Sequence, residues 1–331
     1  MSKPLVYIVG TGGTIASKYD AALGGHISAA TAQDLAAAVP GLGDIAEIRV
    51  VEHSNINSAL MDVATAFGLA ATLRKVLLDE AVSGIVVTHG TATLEETAYL
   101  MDLTVATDKP IVITGAQRNF DEPDADGPRN VLYAVMVASS PEARGRGVLV
   151  AIGGEIHAAR DVTKSHTERL TCFAGRDSGP VGMVSKRGVT FLNVPGRRVH
   201  LAAARIEENV QLVRMGQGSN DLLLRACIRE RVAGIVVEAS AGGNVNVPYY
   251  EAICDALDAG IPVVVATRAT SGPTHFGKGY RGSLASLTAK GAIPAGYLSG
   301  LKARILLMVA LGVTRDRAKL SETFATAGGV A

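Results

Sequence analysis

At 331 residues the chain is long enough for two domains with substantial cores. Apolar residues make up 48% and charged residues 19%, which excludes a disordered chain. A net charge of +1 offers no electrostatic handle for nucleic acid or an anionic membrane, and no segment reaches the roughly 18 apolar residues of a membrane span.

The first apolar run, Leu5-Val-Tyr-Ile-Val-Gly10, predicts a buried strand that enters a glycine-rich loop, Thr11-Gly-Gly-Thr-Ile-Ala16. Cleavage so close to the start would destroy that strand, so the expectation is a cytoplasmic protein without a signal peptide. A helix is predicted over 30–39, closed by Pro40, then a short strand over 48–51 and a long helix over 61–80. Strands over 84–88, 110–114 and 147–152 alternate with helices over 94–104 and 128–140. Such alternation predicts a parallel sheet with helices on both faces.

Residues 185–209, with Lys186-Arg-Gly188 and Pro195-Gly-Arg-Arg198, break the rhythm and predict a small β excursion leading into a linker. A second α/β unit follows, with strands over 210–215, 234–238 and 262–267 and helices over 219–231, 248–259, 300–312 and 316–326. The expected fold is α/β: a parallel-sheet N-terminal domain over 1–190, a linker over 191–209 and a smaller α/β C-terminal domain over 210–331. The 37 glycines suit many short loops, since an average share is about 7%. Cys172, Cys227 and Cys254 are odd in number and widely spaced, which predicts free thiols. The seven histidines form no metal-site spacing, so no metal is expected.

Two loops carry candidate chemistry. Thr14 lies where α/β proteins bind ligands, past a strand end, among glycines that allow close backbone approach. A threonine hydroxyl is a weak nucleophile and needs a base or polarising partner; capping the next helix is the structural alternative. The second loop, His89-Gly-Thr-Ala-Thr93, leaves the strand Gly84-Ile-Val-Val-Thr88 and enters a helix. Lys164, in Arg160-Asp-Val-Thr-Lys-Ser-His166, would serve as a base if desolvated, with Asp161 either orienting it or forming an ordinary salt bridge. A dinucleotide-binding reading fails, because Ile15 stands where that fingerprint needs glycine or alanine and no acidic residue follows at the required distance, so no cofactor is expected.

Thr11-Gly-Gly-Thr-Ile-Ala16 and Thr88-His-Gly-Thr-Ala-Thr-Leu-Glu-Glu-Thr-Ala98 resemble the bacterial-type L-asparaginase/glutaminase family, whose motifs read T-G-G-T-I-A and T-H-G-T-D-T-x-E-E-T-A. The resemblance runs on through Asp126-Gly-Pro-Arg-Asn130, Arg146-Gly-Val-Leu-Val150, Arg160-Asp-Val-Thr-Lys164, Gly179-Pro-Val-Gly182 and Lys302-Ala-Arg-Ile-Leu-Leu307. It implies a threonine-nucleophile amidohydrolase and a homotetramer built from dimers, with no cofactor. By that resemblance Thr14 is the nucleophile, and Thr91 with Lys164 activates the attacking hydroxyl or water. Tyr19 is the nearest tyrosine to a loop tyrosine whose aligned position lies closer to Gly25-His26, with Gly24 and Gly25 as a hinge. Ser58, Gly90 and Asn246 bind substrate, Asn246 reaching the neighbouring subunit's site.

The departures fall together. Ala92 replaces an aspartate, Ala59 and Leu60 stand where the family has glutamine and aspartate, and Gly282-Ser-Leu-Ala-Ser-Leu-Thr288 lacks an acid the relatives carry. In relatives the lost groups surround the substrate's α-ammonium, which costs several kcal/mol to bury without acceptors. A single Asp-to-Ala change would explain Ala92 but not the others. The expectation is therefore a small-carboxamide hydrolase whose substrate lacks a free α-amino group. The alternatives are an L-asparaginase weakened at Ala92, a lactam or imide hydrolase, and a non-catalytic ligand-binding module.

Overall fold

The computed structural model describes residues 3–329 except Leu23, Arg197 and Lys278, together with all but the side chain of His26. It divides into two units, 1–195 and 196–331.

In the first unit, β1 (Leu5–Gly10) is followed by the hairpin β2 (Ser17–Asp20) and β3 (Gly25–Ser28). The helix expected over 30–39 is α1 (Ala32–Ala37), and a further short helix, α2 (Leu42–Ile45), follows Pro40. Thr31 and Asp34 form a capping box on α1, and Gly41, at φ 77°, turns the chain after Pro40 before the second helix starts. Next come β4 (Glu47–Glu52), α3 (Val63–Leu77), β5 (Val82–Thr88), α4 (Leu94–Thr104), β6 (Ile111–Thr114), α5 (Gly127–Ser139) and β7 (Val148–Ile152). Asp62 caps α3 by accepting from the Thr65 N–H, which sets its start two residues inside the predicted span. The unit ends with β8 (Glu155–Ala158), β9 (Val162–Lys164), β10 (Phe173–Gly175), β11 (Gly182–Ser185) and β12 (Gly188–Phe191).

One eight-stranded sheet runs in the order β12-β11-β8-β7-β6-β5-β1-β4. From β4 to β7 the pairs are parallel, and the β8, β11 and β12 end is antiparallel. Every position of β6 and β7 is buried, so both faces are covered, as parallel sheets require. The core on one face joins Val86, Val112 and Leu149 to Val131, Ala134 and Val135 of α5 and Leu35 of α1. The β excursion expected over 185–209 is instead the hairpin of β11 and β12 at the sheet edge, and 192–209 contains no strand among the described residues.

The strand order decides where a ligand would sit. Counted by chain order, β4-β1-β5-β6-β7 reads 2-1-3-4-5, so the order reverses between β1 and β5. Open α/β sheets bind ligands past the strand ends at such a reversal. The two candidate loops leave those two strands.

The second unit is a four-stranded parallel sheet, β13 (Val210–Arg214), β14 (Gly234–Ala239), β15 (Val263–Thr267) and β16 (Ile293–Pro294), in that order. Its helices are α6 (Leu222–Arg229), α7 (Val247–Asp258), α8 (Leu284–Thr288), α9 (Gly300–Val313) and α10 (Arg317–Gly328). Val237, Val265, Ile253 and Leu224 lie in its core. The three cysteines are free. Among the described residues no helix is long and apolar enough to cross a membrane.

Candidate active site

Past the ends of β1 and β5 the two loops are in backbone contact. The Thr11 N–H and hydroxyl both donate to the Thr88 carbonyl, at 3.1 and 2.9 Å. A Cβ placed on Gly13 would lie 2.2 Å from Gly90 Cα, so only glycine permits this approach. Gly12 and Gly13, at φ 96° and 90°, adopt the left-handed region and swing Thr14 into a short 3-10 turn, Thr14–Ala16. Thr14 thus follows directly on the Gly13–Gly90 contact and is half-buried, while Ile15 and Ala16 take the core positions.

Ser58 is brought to the same point from the turn before α3. It is buried, and a Cβ on Gly90 would meet its Oγ at 2.4 Å. The Thr93 hydroxyl donates to the Ser58 carbonyl at 2.9 Å, tying the two loops. Lys164, the last residue of β9, is held by its N–H donating to Glu95 Oε1 of α4 at 3.1 Å. Its Nζ donates to Thr91 Oγ1 at 2.7 Å and to Gln117 Oε1 at 3.2 Å, and the Thr91 hydroxyl donates to the same Gln117 oxygen at 3.0 Å. Thus the loop of Gly13 and Thr14 joins Ser58, Gly90, Thr91 and Lys164, so that four separate stretches meet in one place.

Other candidates fall elsewhere. Tyr19 is 58% exposed and sits on β2 directly across from His26 of β3. The two possible positions for the loop tyrosine are thus cross-strand partners, but the His26 side chain is outside the described residues. Asp161 pairs with Arg160 at 3.0 Å rather than with Lys164. Ala59, Leu60 and Ala92 are exposed at the rim of the loops. Asn246 belongs to the second unit, where it caps α7: its oxygen accepts from the Tyr249 N–H at 3.0 Å and its amide donates to the Ser219 carbonyl at 2.7 Å. In the acid-free stretch 282–288, Ser283 is buried and caps α8.

Gln117 was not expected from the sequence, because nothing in its neighbourhood marks a lone glutamine three residues past a strand. His89 was passed over as well. It is fully buried, with Nδ1 2.7 Å from the Gly90 carbonyl and Nε2 3.3 Å from Met61 Sδ. The carbonyl assigns the proton to Nδ1. Burial pushes the imidazole pKa down to about 4, against the opposing pull of the Gly90 carbonyl. The unfolded chain then takes up a proton that the folded one refuses, so stability is lost as pH falls from about 6.5 toward 4. Between pH 8 and pH 5 this group alone is expected to remove about 2 kcal/mol. Urea melts at both pH values should show wild type losing about that much more than His89→Gln. Parallel losses in the two proteins would contradict the assignment.

Comparison with known proteins places this geometry. Residues 5–196 match the sequence family described as Asparaginase, N-terminal, and residues 209–324 match the Glutaminase/Asparaginase C-terminal domain. The chain is 33% identical to L-asparaginase 2 of Bacillus subtilis, over 97% of this chain and 86% of the relative. It is 35% identical to a probable L-asparaginase of Deinococcus radiodurans, over 98% of each. A crystal structure of a probable cytoplasmic L-asparaginase from Campylobacter jejuni is similar with a TM-score of 0.86 and 32% identity, over 98% of this chain and all of the other.

Proposed function

Because the chain belongs to the asparaginase family, we propose that it hydrolyses a small carboxamide to the acid and ammonia through an ester on Thr14. It is a hydrolase acting on C–N bonds of linear amides. The observation that carries the finer proposal is the 2.7 Å Lys164–Thr91 contact, in a loop whose Gly90 lies against Gly13.

Thr14 Oγ adds to the amide carbonyl carbon and transfers its proton toward the Thr91–Lys164 pair. The carbonyl electrons pass to the oxygen, where backbone N–H groups of the glycine loops are available as donors. Collapse breaks the C–N bond, and nitrogen leaves as ammonia after taking up a proton. Water then adds to the ester, and release of the acid restores the hydroxyl.

The substrate proposed is one without a free α-amino group. Ala59, Leu60 and Ala92 offer no acceptor, and an ammonium held without one costs several kcal/mol. The competing reading, an ordinary L-asparaginase, is favoured by the names of the relatives. Ammonia release from carboxamides with and without an α-amino group separates the two: desamino amides lead in the first case and L-asparagine in the second.

We further propose a cytoplasmic homo-oligomer, a dimer of dimers, in which Asn246 serves a neighbouring subunit's site. Sedimentation during turnover is expected to find activity only in dimers or larger species; a fully active monomer would rule the assembly out.

A further inference from the structure

We propose that Gln117 is a positioning residue that holds Lys164 against Thr91 and does so without a charge. This rests on Thr91 and Lys164 handling the protons of the reaction, and adds what orients them.

Gln117 lies three residues past β6. Its backbone N–H donates to both oxygens of Asp126, at 3.1 and 3.2 Å, which fixes the loop. Its side-chain amide donates to the Thr167 carbonyl at 2.8 Å. That bond sets which end of the amide faces the site. Reversed, the NH2 group would face the Lys164 amine and the oxygen would face a carbonyl, leaving both contacts repulsive. Oε1 therefore points at Thr91 and Lys164 and accepts from each.

The hydrogen-bond count then closes. The Thr91 hydroxyl donates its one hydrogen bond to Gln117 Oε1, and this turns a lone pair of Thr91 Oγ1 toward Lys164 Nζ. Among the described residues the partners of Nζ are Thr91 and Gln117, and no carboxylate lies within ion-pair reach of it. Asp161, the acid nearest in sequence, is engaged with Arg160. An amide oxygen accepts an N–H from an amine or from an ammonium alike. A carboxylate at this point would favour the ammonium and hinder proton uptake by the lysine. The neutral side chain fixes the place of Nζ without setting a charge beside it.

Two variants test this. Gln117→Met keeps the length and removes the acceptor. Gln117→Glu keeps the acceptor and adds a charge. The other groups facing Lys164 or Gln117 stay the same in both: Glu95 of α4, Asp126 behind Gln117, the Arg160–Asp161 pair before β9, and the Cys172 thiol beside β10. Burial pushes that thiol up to about 11, so it does not titrate in the working range.

With succinamic acid and L-asparagine as substrates, Gln117→Met is expected to lower kcat about ten- to a hundredfold with KM changed less than about twofold. Gln117→Glu is expected to move the acid limb of the kcat profile about one unit to higher pH. An unaltered kcat in Gln117→Met, or an unmoved acid limb in Gln117→Glu, overturns the proposal. If the methionine variant fails to fold, the glutamate variant decides. Thr14→Ala is run alongside: if it stays active, the threonine mechanism itself has failed, whereas an inactive Thr14→Ala beside an active Gln117→Met removes only the role of Gln117.

Discussion

Thr14→Ala is expected to lower amide hydrolysis on the order of a thousandfold or more while leaving the melting temperature nearly unchanged. The two halves of this expectation come from different observations. Thr14 sits past the end of β1, and the core beneath it is built by Ile15 and Ala16, which are 1% and 2% exposed. Loss of a half-buried hydroxyl removes little packing. The same hydroxyl follows directly on Gly13, whose backbone lies against Gly90 in the loop that carries Thr91 and its Lys164 contact. Thr14→Ser should recover part of the rate, since it restores the hydroxyl without the methyl. Near-wild-type turnover in Thr14→Ala would remove the nucleophile assignment, whatever the fold.

The second large effect concerns recognition. Wild type is expected to favour succinamic acid over L-asparagine in kcat/KM, and Ala92→Asp is expected to shift that ratio toward asparagine. Ala92 follows Thr91 directly and is exposed at the loop rim, so a carboxylate there would face an approaching ammonium. An exposed ion pair contributes about 0–1 kcal/mol, and a desolvated one contributes more. The shift is therefore expected to lie between about twofold and tenfold if the bound ammonium keeps some water. Ala59 and Leu60 would still lack acceptors, so one substitution does not rebuild the full shell. A wild type that already prefers asparagine strongly would show that the ammonium is bound by groups other than those lost.

Much of this site was legible in the sequence because its parts are local. Each glycine loop follows a strongly apolar strand, and the strand, the loop and its hydroxyls can be read together over about ten residues. Alternation of those strands with helices also carried the parallel sheet. The sheet order, which makes β1 and β5 neighbours at the reversal, is a long-range fact that no local pattern contains.

The elements that were missed are short or marginal. Strand β11, Gly182–Ser185, next to the edge strand β12, shows alternating burial over only four residues, too few to distinguish from a loop. The hairpin of β2 and β3 carries Lys18, Tyr19 and Asp20, a polar run with no strand signature. Pro40 looked like a stop, yet Gly41 restarts the chain into α2. Gln117 is the instructive case at the site. Its role comes from Thr91, Thr167 and Lys164, which lie 26, 50 and 47 residues away in sequence. A neutral side chain acquires its function here only through where the fold places it.

The central claim is a covalent ester on Thr14, and the direct measurement is the mass of the protein during turnover. Wild type is mixed with succinamic acid, quenched in acid within the first turnovers, and digested for mass spectrometry. The account predicts a peptide spanning Thr14 heavier by the acid less one water, absent from Thr14→Ala and discharged when the quench is delayed past substrate exhaustion. An adduct on Thr91 with Thr14 unmodified, or the same adduct persisting in Thr14→Ala, would contradict it.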